Sequence, residues 1–102
     1  MNNHPIPTMR NQMKTYWFEV FLSGIDEMTD EIADALFEVG CDGTPGSREG
    51  HAQVCFAREA DSLESAICSA LDEIKQAGFH FSKVEIDPET LHDLYTQARC
   101  VA

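Results

Sequence analysis

Basic residues are scarce in this chain: Lys and Arg number 7 against 18 Asp and Glu, for a formal net charge of −11 over 102 residues. That balance argues against direct nucleic-acid binding, which takes a basic surface to meet the phosphates. It leaves solubility, a basic partner or a plainly solvated acidic surface. Long hydrophobic runs are missing too. No stretch reaches the ~18 apolar residues of a membrane span. The N-terminal MNNHPIPTMRNQMK carries prolines and no apolar core, so it does not read as a signal peptide. Cys41, Cys55, Cys68 and Cys100 show no CxxC or other zinc spacing. The expectation is a cytoplasmic protein with reduced thiols, no cofactor and no membrane contact.

What is present reads as one domain with a leader and a tail. Residues 1–14 lack periodicity and are expected to be a flexible leader. Thr15 to Ser23 is the best strand, with Phe18, Val20 and Leu22 on one face and Trp17, Glu19, Phe21 and Ser23 on the other. Thr29 to Asp42 reads as an amphipathic helix with its stop signal. Thr29 is the N-cap, Ile32, Ala35, Leu36 and Val39 form the apolar face, and Gly40 is the left-handed exit.

Three glycines and a proline in Cys41 to Gly50 predict a short edge strand and a hairpin turn. His51 to Arg58 is the next strand. Asp61 to Ala77 is a second helix, with Asp61 and Glu64 as a capping box and Gly78 closing it. Leu63, Ile67, Ala70, Leu71, Ile74 and Ala77 form its stripe. Phe79 to Asp87 is the last strand, with Val84 and Ile86 on one face and Phe79 and Phe81 on the other. Asp87-Pro88 opens a tail helix over residues 88–102. The order predicts an α+β fold over residues 15–87. It is a ferredoxin-like βαββαβ plait, a four-stranded antiparallel sheet with two helices on one face, followed by a short C-terminal helix.

Chemistry-bearing clusters are thin. Asp30, Asp34 and Glu38 line one side of the first helix at a cost of ~0.2–0.5 kcal/mol per like-charged pair, and read as a solvated face. His51 and His80 have no nucleophile in their vicinity in sequence. Gly43-Thr44-Pro45-Gly46 has the glycines of an anion loop without its lysine or following helix. Cys68, on the polar face of the second helix, is a surface thiol without a basic neighbour within a turn. No catalytic, cofactor or metal residues are assigned, and the expectation is a protein that is not an enzyme.

Leu22-Ser23-Gly24, the run from Glu31 to Asp42 (EIADALFEVGCD) and Asp61 to Ala70 (DSLESAICSA) resemble a family of small bacterial proteins labelled helix-turn-helix DNA-binding proteins or putative antitoxins. The resemblance spans residues 15–90. It implies the plait followed by a DNA-reading helix-turn-helix. Here the fourteen residues after Pro88 supply one helix with one basic residue, Arg99, so the helix-turn-helix and DNA binding are not carried over. The resemblance then implies a regulatory or protein-contact role, antitoxin-like and exercised through a protein partner. The alternative, from fold analogy alone, is a small-ligand-sensing dimeric ACT-like domain.

The strand phasing adds an interface expectation. Trp17, Phe21, Phe79 and Phe81 fall on the sheet face without helices, where aromatic surface would be a liability if bare. Leu91, Leu94 and Tyr95 of the tail, together with a second copy of the chain, are expected to cover it in a homodimer.

Overall fold

Hydrophobic periodicity alternates between two and 3.6 residues along the chain, and each switch becomes an element boundary. The computed structural model describes residues 13–101. They form β1 (Lys14–Leu22), α1 (Asp30–Glu38), β2 (Thr44–Arg48), β3 (His51–Ala60), α2 (Leu63–Gln76), β4 (Phe81–Ile86) and α3 (Pro88–Val101). The sheet has the order β2-β3-β1-β4 with every neighbouring pair antiparallel. This is the α+β ferredoxin-like plait. Residues 1–12 of the expected leader lie outside the described residues.

One face of the sheet holds the core. Phe18, Val20, Leu22, Val54 and Phe56 meet Leu36 of α1 and Ala66, Ala70 and Ile74 of α2, all at 2 % exposure or less. Ile67, Leu71 and Val84 pack against this cluster from its margin. Phe18 and Phe56, directly paired across β1 and β3, stack with centroids 5.3 Å apart. Gly43 is required by this packing, because a Cβ there would overlap the Val54 and Phe56 side chains. Its place in the sequence is therefore a steric demand of the core and not an anion loop.

Local chemistry sets the element ends. Thr29 caps α1 by accepting the Ile32 N–H at 3.2 Å. The capping box expected at Asp61 and Glu64 is not formed. The N-cap of α2 is Ser62, whose extended backbone (φ −155°, ψ 157°) points its hydroxyl at the Ser65 N–H, 3.0 Å away. β3 correspondingly runs two residues further, to Ala60.

Both core helices end in a Schellman motif. Gly40 and Gly78 take φ of +85° and +98°. Cys41 then donates to Leu36 C=O at 3.1 Å, and Phe79 to Ile74 C=O at 3.2 Å. The motif folds the residue after the glycine back toward its helix. Cys41 is thereby buried, and Phe79 packs against the core. Phe79 therefore does not join Trp17 on the opposite face, and β4 starts two residues later than the alternation suggested.

The two sheet edges differ. β2 turns into β3 through Glu49-Gly50, both at positive φ (53° and 78°), which is the backbone of a type I′ hairpin. Pro45 removes a donor from β2, and Ser47 Oγ is occupied by the Met28 N–H at 2.8 Å. β4, at the other edge, contains no proline.

Candidate functional site: the open face of the sheet

Alternation along the strands turns a second set of side chains away from the helices. β1 contributes Trp17, Glu19 and Phe21. Registered with them are Gln53 and Cys55 of β3 and Lys83 and Glu85 of β4, with Arg48 beyond at the β2 edge. These side chains build a polar lattice across the four strands.

Arg48 is its hub. Its Nη1 donates to both carboxylate oxygens of Glu19, at 2.6 and 2.7 Å, and its Nη2 to Glu85 at 3.3 Å. Gln53, only 5 % exposed, donates to Glu19 at 3.1 Å. Lys83 donates to Glu85 at 3.0 Å, which holds the Glu85 carboxyl below its usual range, with Arg48 adding to the effect. Phe21 lies beneath this lattice at 3 % exposure. The Lys83 ammonium sits 4.7 Å and the Arg48 guanidinium 5.9 Å from its ring centroid, and His51 meets it edge-on at 6.4 Å. Phe21, expected to need a tail or a second copy to cover it, is thus covered within the chain by two cations on neighbouring strands.

Beside the lattice, toward the start of β1 and the end of β4, lies a groove of about 590 Å³. Trp17, Glu19, Arg48, Cys55, Glu85 and Asp87 are among its lining residues. Trp17 is 47 % exposed here. Its backbone is fixed on both sides: the N–H donates to Thr90 Oγ1 at 3.0 Å and the C=O accepts from Asp87 N–H at 3.0 Å. Thr90, buried in the first turn of α3, thereby ties that helix to β1.

The seven residues expected at the interface, four in an aromatic patch and three of the tail covering it, divide into three groups. Phe21 is sealed by cations. Phe79 and Leu94 pack against the core. Trp17, Phe81, Leu91 and Tyr95 remain exposed, at 47, 39, 54 and 58 %. Leu91, Leu94 and Tyr95 belong to one apolar stripe on α3, which meets the body of the protein through Leu94 and Thr90 and leaves its other flank outward. Sequence reasoning missed Arg48 and Lys83. The signal for them was the scarcity of cations itself, for Lys83-Val84-Glu85 places opposite charges on one strand face.

A second polar cluster is structural. Arg58 reaches Asp42 at 2.6 Å, Glu73 at 2.8 Å and Ser69 at 3.0 Å, with its guanidinium 5.0 Å from the Phe56 ring. Burial works against its charge, but the Glu73 and Asp42 carboxylates outweigh that and raise its pKa. It clamps β3, α2 and the exit of α1 together. Phe37, 79 % exposed, borders a separate depression of about 250 Å³ between α1 and β2. Asp30, Asp34 and Glu38 are all exposed. Among the described residues, no group of three or more His, Cys, Asp or Glu side chains could hold a metal ion. No helix among them is long and apolar enough to cross a membrane.

Compared with known proteins, the chain matches no family model, no curated protein and no solved structure.

Proposed function

We propose that this chain is a non-enzymatic interaction module, regulatory and antitoxin-like in acting through a bound protein, and that it works as a homodimer. The observation that supports this is the apolar surface left outward where β1 meets α3. Leu91 and Tyr95 are more than half exposed, although the same stripe of α3 is docked through Leu94. Apolar side chains clustered outward on an ordered element favour contact with another macromolecule. The chemistry nearby agrees, since the Cys55 thiol meets the Gln53 amide rather than a base. Light scattering of the intact protein tests the reading. A dimeric mass that falls toward the monomer in the double variant L91S/Y95S is expected. A monomeric mass at the highest soluble concentration overturns the homodimer.

The groove supports a second reading, a small-ligand sensor. Its volume of about 590 Å³ falls within the ~300–1,000 Å³ of small-molecule sites. A thermal-shift screen against amino acids and nucleotides separates the two, because a ligand that binds only the folded state raises the midpoint. A hit lost in Trp17→Ala would favour the sensor.

A further inference from the structure

We propose that two copies of this chain join edge to edge through β4, in the one register centred on Val84, to form a continuous eight-stranded antiparallel sheet. The inference rests on the homodimer reading above and names the surface that forms it.

The phase of the ladder identifies the groups available. Asp87 N–H donates to Trp17 C=O at 3.0 Å, and Glu85 and Lys83 stand opposite Glu19 and Phe21. Alternate residues of an antiparallel strand turn their backbone groups to opposite sides. Residues 83, 85 and 87 therefore point theirs toward β1, and Val84 and Ile86 point theirs out from the sheet. β4 is the terminal strand on this side. β4 pairs with β1 alone, and among the described residues no turn, loop or side-chain hydrogen bond reaches the outward backbone groups of Val84 or Ile86. An edge of this kind is a template for pairing unless it is blunted. The opposite edge is blunted by Pro45; β4 carries only Lys83 for that purpose.

The register centred on Val84 places Lys83 against an acid and sets no like charges opposite each other. About a two-fold axis at Val84, the Val84 N–H and C=O of each copy pair with those of the other. Lys83 then lies opposite Glu85 of the second copy, and Glu85 opposite Lys83 of the second copy. Both are non-hydrogen-bonded positions, where side chains approach most closely. Each copy already pairs Lys83 with Glu85 at 3.0 Å, so the four charges alternate around the axis. Centring on Lys83 instead brings two lysines together, centring on Glu85 two glutamates, and centring on Ile86 brings Glu85 against Asp87.

Charge reversal in trans tests this. K83E carries two acids and E85K two bases on the edge, so each variant alone is expected to run as a monomer by light scattering. An equimolar mixture is expected to recover the dimer, because 83 and 85 are complementary only between the two variants. Val84→Pro, which removes an outward N–H and leaves the ladder to β1 intact, is expected to be monomeric with the wild-type circular dichroism spectrum. A mixture that stays monomeric overturns the register. Dimeric single variants and a dimeric V84P overturn the β4 edge while leaving the homodimer standing. A monomeric wild type overturns both.

Discussion

Single residues in this protein are constrained by what faces them across strands. Gly43 has no room for a methyl group against Val54 and Phe56. Gly43→Ala is therefore expected to cost about 1–3 kcal/mol by overpacking, read as a lower urea midpoint. An unchanged midpoint would show that the two side chains yield freely. The thiols separate on the same basis. Burial pushes the Cys41 thiol up, with a backbone hydrogen bond at Gly43 opposing, whereas Cys68 is exposed. A raised folded pKa means that the Cys41 contribution to stability is fully present below the unfolded thiol value of ~8.5 and is lost as pH rises through the folded one. At neutral pH a thiol-specific reagent should modify Cys68 in the folded protein and reach Cys41 only on unfolding. Peptide mass mapping would read this, and equal rates at the two sites would contradict it.

At the scale of elements, the caps were largely legible and their consequences were not. Thr29, Gly40 and Gly78 are recognisable by residue type and position. That a glycine exit also folds Phe79 onto its own helix follows from the Schellman geometry, which strand alternation ignores. Leu36 is the one fully buried side chain of α1 and carries that helix onto the sheet. Leu36→Ala is expected to cost about 2–5 kcal/mol, measured by denaturant unfolding. A negligible change would mean that α1 docks through Ile32 and Val39 instead. α3 behaves differently. Its first turn is held by Thr90, its stripe docks through Leu94, and Leu91 and Tyr95 stay more than half exposed.

For the whole molecule, the acidic balance outweighs any local basic feature. Two of the seven basic residues, Arg48 and Lys83, are committed to carboxylates on the open face, and Arg58 to Asp42 and Glu73. Few cations remain to displace phosphate counterions. The purified chain is expected to leave duplex DNA unshifted in a gel at physiological salt. A salt-sensitive shift at sub-micromolar protein would refute that.

The plait, the buried face of β1, the stop signals and the edge character of β2 were all readable from residue order. Each depends on a period or a cap set within a few neighbouring positions. The open face was not. Its aromatics alone suggested a bare patch, and Glu19 alone suggested a wet surface. Covering Phe21 takes Arg48 from β2 and Lys83 from β4, and the Arg48–Glu85 bond joins residues 37 apart in the chain. Strand register brought those charges onto one face, and register is a property of the assembled sheet. Hydrophobic alternation along one strand determines which way a side chain points; only the pairing of four strands decides what it meets there.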